Sequence, residues 1–184
     1  MEEKVVVTSP VLGKYYEDFL RLRDLLNKID IGEWGNNVKE YIELLKHVMN
    51  FADALHSALL DAPYDQNTKQ AIRNALMWLN LYREDKQRFA KEADGVYTSY
   101  IVAYKLPGDQ NPRVLRIYSS LGEYLEDRKN LESQDLQVVD VKVVPSIKLL
   151  RFLARMIIIR VLELGIFGFK IEKRPRFWYG DENE

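Results

Sequence analysis

A chain of 184 residues with 27 Lys or Arg, 28 Asp or Glu and a formal net charge of −1 fits one domain or two small ones, with no global pull toward an anionic or cationic partner. At 47% hydrophobic and 30% charged it is too apolar to stay disordered and too charged to sit inside a bilayer. It has no cysteine, which excludes disulfides, thiolate metal sites and a cysteine nucleophile, and it suits a cytoplasmic protein.

The N-terminus, Met1 to Val7, places two acids before one lysine and only three consecutive valines, so no export signal is expected. Pro10 then opens a segment in which Leu12, Tyr15, Tyr16, Phe19, Leu22, Leu26 and Ile29 recur at three- and four-residue steps, the pattern of an amphipathic helix. Gly32 and Gly35 interrupt the stripe, which resumes at Val38 and runs to Leu59 as a second, longer helix. A turn at Asp61 to Asp65 precedes a third helical stripe, Ile72 to Tyr82, capped by Asp65 or Asn67. The charged run from Arg83 to Asp94 reads as a solvated extension of that helix ending at Gly95, the best internal boundary.

Beyond Gly95 the hydrophobic period shortens toward two. Val96 to Leu106, the turn formers from Pro107 to Pro112, and Arg113 to Tyr118 predict a β-hairpin with a stiff, exposed loop. Ser120 with Glu123 forms a capping box and opens a short helix to about Leu131. Leu136 to Val144 is rich in valine and predicts a strand, after which Pro145-Ser146 starts a final helix that Gly165 and Gly168 end. Phe169 to Trp178 supplies a last strand, and Val5 to Val7 an edge strand. The expected fold is therefore α+β, with N-terminal antiparallel helices packed on a small mixed or antiparallel sheet of order ββαβα(β). Residues 1–95 form the mainly helical half and residues 96–184 the α+β half, as two units or one continuous domain.

No nucleotide, hydrolase or zinc-protease motif occurs, so an enzyme is the less favoured reading and no cofactor is expected. Glu43 and His47 share a helical face and could supply half of a metal site, but the pair lacks further ligands and also reads as a solvated helix pair, so no metal site is assigned. His47 and His56, nine residues apart on one helix, would point to opposite faces. Acids such as Glu123 and Asp127 sit early in a helix, where they complement its dipole.

The chain's one concentrated bias is C-terminal. From Lys142 through Arg176 there are nine Lys or Arg against two Glu. On the final helix Lys148, Arg151 and Arg155 fall within about 60° of each other, with Arg160 opposite and in need of a partner, while the aliphatic residues spread so widely that most of the helix should be buried. The tail adds Lys170, Lys173, Arg174, Arg176, Phe177, Trp178 and Tyr179, the mixture of cations and ring faces that single-stranded nucleic acids use. Thr98, Tyr100, Val102 and Tyr104, alternating along one strand, would offer a second stacking platform.

The leading expectation is a non-enzymatic nucleic-acid-binding or nucleoprotein-complex subunit, contacting DNA or RNA through Lys148, Arg151, Arg155, Lys173, Arg174, Arg176, Trp178 and Tyr179. The alternative is a protein-interaction or oligomerising scaffold module without nucleic-acid binding, using helical surfaces near Trp34 and Trp78; an apolar patch beside those tryptophans would favour it. The same cation stripe could meet anionic lipid, although arginines within Leu149 to Phe169 cost about 2.5 to 3.5 kcal/mol each near a bilayer centre and argue against a transmembrane span. Many charges and no cysteine also suit a thermophile, against which stand ten asparagines and six glutamines.

Overall fold

The computed structural model describes residues 10–32 and 37–167. The expected edge strand at Val5 to Val7, the loop around Trp34 and the terminal segment with its expected strand lie outside the described residues. Within them the chain forms α1 (Pro10–Asp30), α2 (Val38–Ala54), α3 (His56–Leu60), α4 (Gln66–Glu84), α5 (Lys86–Glu92), β1 (Thr98–Lys105), β2 (Val114–Tyr118), α6 (Leu121–Glu132), β3 (Gln137–Pro145) and α7 (Ile147–Leu164). This is the α+β class expected, with helices first and a small sheet after them.

Side-chain caps explain where the helices begin. Asn37, Asp65, Asp85, Ser120 and Ser146 each accept a hydrogen bond from the backbone N–H three residues on, satisfying a donor that has no partner within the helix. At the other end, Gly165 adopts φ +64 and lets the last turn of α7 close on its own carbonyls, a conformation in which a side chain is strained. Two helices are shorter than the apolar spacing suggests. The stripe read as one helix to Leu59 breaks at Leu55, which leaves helical geometry at φ −108 and separates α2 from α3. The charged extension likewise breaks at Asp85, whose carboxylate leaves α4 to cap α5 through the Arg88 N–H at 3.1 Å.

Helix α7 is the hub. Leu149, Leu150, Leu153, Ala154, Met156, Ile157, Ile158, Ile159, Val161 and Leu162 are all buried, and the helix packs against α1, α2, α3 and α4. Its wide apolar surface is what lets one helix serve four neighbours. The resulting core gathers Phe19, Leu22, Leu25, Tyr41, Leu44, Val48, Ile72 and Leu79 from the N-terminal helices, and it also takes Ile101 and Val144 from the sheet.

The sheet has order β2-β1-β3 and is antiparallel throughout, where the sequence left a mixed sheet open. The central strand β1 is buried on both faces along most of its length. Side-chain alternation sends Ile101 toward the helical core, while Tyr100, Val102 and Tyr104 join Tyr118, Tyr124, Leu131 and Leu136 in a second cluster beneath α6. Opposite β3 the register slips between Ala103 and Tyr104. The Tyr41 hydroxyl donates to the Pro145 carbonyl at 2.6 Å, tying α2 to the end of β3 across 104 residues of chain. Burial pushes this phenol well above the ordinary tyrosine range.

Candidate functional site

The basic stripe of α7 is formed but engaged. Asp30, at the C-terminal end of α1, receives Arg151 through Nε at 2.9 Å and Nη2 at 2.7 Å, and Arg155 through Nη2 at 3.3 Å. Its carboxylate is only 13% exposed, whereas Arg151 remains 46% exposed. Packing of α1 on α7 thus sets one acid between two of the three cations. Lys148 is exposed, and its Nζ stands 5.7 Å from the centroid of the Tyr97 ring. Arg160, on the far side, donates to the Ala58 carbonyl of α3 at 2.9 Å and lies 3.9 Å from Glu163, so α3 and the next turn of its own helix supply the partners it needs. Glu163 is bonded in turn by the Tyr64 hydroxyl. The other candidate contacts, Lys173, Arg174, Arg176, Trp178 and Tyr179, lie outside the described residues.

The tyrosine platform is closed by α6. Tyr100, Tyr104 and Tyr118 are buried, with the Tyr100 and Tyr124 rings stacked at 6.2 Å and those of Tyr118 and Tyr124 tilted by 41° at 5.5 Å. The Tyr104 and Tyr118 hydroxyls are 2.7 Å apart, and Tyr118 donates to Asp127 Oδ2 at 2.6 Å. A nucleobase has no access to these faces, because the capping-box helix packs over them through Tyr124 and Leu131.

His47 also departs from the solvated pair read from sequence. It is 7% exposed, with Nε2 3.9 Å from Glu43. Glu43 itself grips Arg21 through two hydrogen bonds at 2.9 and 2.6 Å, which hold its carboxyl below the usual range. His56 starts a separate helix. Among the described residues no group of three or more potential ligands could hold a metal ion, and no helix is long and apolar enough to cross a membrane.

Open surface is found instead around α4. A groove of about 610 Å³ runs between α3, α4 and α5, lined by Leu60, Leu76, Met77, Trp78 and Leu81 and edged by Arg73 and Glu84. Met77 is 54% exposed, although it lies on a helix whose other large apolar residues are at least half-buried. Arg73, Met77, Asn80 and Glu84 are all exposed and fall within about 60° on the helix wheel, and neither Arg73 nor Glu84 has an ion-pair partner among the described residues. The methionine in an otherwise polar stripe was the available signal for this surface. Nothing in the sequence could have paired Asp30 with arginines 121 and 125 residues away.

Comparison with protein-family models, curated proteins and solved structures finds no match to this chain.

Proposed function

We propose that this protein is a self-associating interaction module whose α4 surfaces pair in antiparallel fashion across a two-fold axis. The observation that carries the reading is the stripe Arg73, Met77, Asn80, Glu84 beside the Trp78 groove. Such a stripe complements itself. Reversing a second copy so that its Glu84 faces Arg73 also sets its Asn80 against Met77, and the symmetry repeats both contacts, as an isologous interface requires. Two ion pairs would form from four charges without partners among the described residues, and each Met77 would leave water for the other copy's groove, where a flexible thioether adapts to irregular walls.

The nucleic-acid reading has less support, because Arg151 and Arg155 already answer to Asp30. It makes a different measurement move: anisotropy with labelled oligonucleotides would show log affinity falling linearly against log salt.

Sedimentation equilibrium tests the proposal. One helix pair is a small interface, so association is expected in the micromolar to about 0.5 mM range. The mass should rise toward twice 21.6 kDa with concentration. Met77→Glu should return it to the monomer, Arg73→Glu should weaken association, and the double swap Arg73→Glu with Glu84→Arg should restore it. A wild-type chain that stays monomeric across that range, or a double swap that fails to rescue, refutes this interface.

A further inference from the structure

On the flank of α4 roughly 140° around from the exposed stripe lies a second, more enclosed cavity of about 240 Å³. Its origin is legible in the side chains. Ala71 and Ala75, one turn apart on α4, leave space against α7, and larger aromatic groups stand around that space. Trp78 and Tyr97 form two walls, their ring centroids 5.5 Å apart and their planes tilted by 40°. Phe152 of α7 forms a third, and buried Leu149 contributes an apolar floor.

Two donors stand among these walls. Lys148 meets no carboxylate within ion-pair distance among the described residues, and its ammonium stands over the Tyr97 ring, 5.7 Å from the centroid. The Asn74 side-chain oxygen accepts from Gln70 Nε2 at 3.0 Å, which leaves the Asn74 NH₂ to donate elsewhere.

We propose that this cavity is a binding site for a small aromatic carboxylate, its ring held among Trp78, Tyr97 and Phe152 and its carboxylate held by Lys148 and Asn74. The volume is below the roughly 300 to 1,000 Å³ of pockets that hold drug-sized ligands, so the ligand has one or two rings rather than the bulk of a nucleotide. Aromatic walls of this kind also suit quaternary ammonium groups, but here a lysine ammonium already stands over Tyr97 and repels a second cation. One ammonium and one amide match a single carboxylate better than a phosphate dianion, which needs more donors to offset its desolvation. The site shares Trp78 with the α4 groove, but all of its walls come from one copy, so it does not rest on self-association.

The test uses the full chain with three probes of one shape: 2-naphthoate, the neutral 2-naphthalenemethanol and the cationic 2-naphthylmethylammonium. Titration is followed by calorimetry and by the Trp78 indole N–H resonance. Naphthoate should bind with a Kd of about 0.1 to 1 mM, the neutral probe several-fold more weakly and the cation weakest. Lys148→Met should cost naphthoate about tenfold and leave the neutral probe unchanged. Ala71→Phe should fill the cavity and abolish binding of both, with the thermal midpoint of each variant recorded to show that it folds. No saturable binding up to roughly 10 mM, naphthoate affinity indifferent to Lys148→Met, binding that survives Ala71→Phe, or a cation that binds as well as the carboxylate would each overturn the assignment.

Discussion

The two hydrophobic clusters are built from different materials. The larger is dominated by aliphatic and phenylalanine side chains around α7, and the Asp30 and Arg151 ion pair lies at its rim. The smaller consists of seven buried residues, four of them tyrosines, among which a chain of hydroxyls runs from Tyr104 through Tyr118 to Asp127. Both remove apolar area from water, but the first holds a single phenol of this kind, Tyr41, whereas the second joins its burial to a connected chain of groups that can lose a proton. The lesson is that the helical core should respond to volume, and the cluster under α6 to hydrogen bonding and pH.

The largest effect is therefore expected in the first region. Leu150 is fully buried in the core that α7 shares with its neighbours, and Leu150→Ala should cost about 3 to 4 kcal/mol by removing buried apolar atoms and leaving a cavity. Urea unfolding would show it as a lower midpoint at unchanged slope, and a loss below about 1 kcal/mol would mean the site collapses and that α7 is less central than its packing implies.

In the second region the informative change is Tyr118→Phe, which keeps the ring and removes the hydroxyl between Tyr104 and Asp127. The cost should be about 1 to 2 kcal/mol at neutral pH, since both neighbours lose a partner. The pH dependence separates the regions further. Burial, then the hydrogen bond to Asp127, raise the Tyr118 phenol above its ordinary value, and burial also raises Tyr100 and Tyr104. Folded phenols thus keep protons that unfolded ones release near pH 10, so their contribution is complete below that pH and is lost as pH climbs past it. Wild-type stability should fall between about pH 9 and 11, by up to about 1.4 kcal/mol per pH unit for each such phenol. Tyr118→Phe should fall less steeply and Leu150→Ala in parallel with wild type; equal slopes for all three would remove the distinction between the clusters.

How much of this could be read beforehand follows from how local each cause is. The Ser120 cap, the Asp65 cap, the hairpin around Pro107 to Pro112 and the Gly165 stop are decided by side chains within a few residues of the backbone they shape, and all four were visible, Asp65 as one of two candidate caps and Gly165 together with Gly168. The breaks at Leu55 and Asp85 were not, because neither position carries glycine or proline; the apolar spacing continues past Leu55, and the charged run around Asp85 has no apolar period to interrupt. The candidate site divides the same way. The spacing of Lys148, Arg151 and Arg155 placed them on one face of a real helix, but their chemistry depends on Asp30 and Tyr97, which only the packing of α1 and the approach to β1 bring within reach. The platform of Tyr100 and Tyr104 was correctly placed on one face of a strand, and its closure depended on where α6 would fold.

Asp30 offers the smallest change and a comparison of its own, between a charge pair at the rim of one cluster and a hydroxyl chain inside the other. Asp30→Asn keeps a side-chain oxygen that can accept from Arg151 but discards the charge, and it should cost about 1 kcal/mol, less than Tyr118→Phe because Arg151 remains substantially exposed. Salt distinguishes the two: the Asp30→Asn penalty should shrink in 1 M NaCl, where screening reaches only about 3 Å, while that of Tyr118→Phe should persist. The substitution also releases Arg151 and Arg155 toward solvent, so the variant should elute from immobilised heparin at higher salt than wild type, and adding Arg151→Gln should reverse the gain. Elution unchanged by Asp30→Asn would show that Asp30 does not restrain these cations, and the nucleic-acid reading of α7 would regain the ground that this ion pair takes from it.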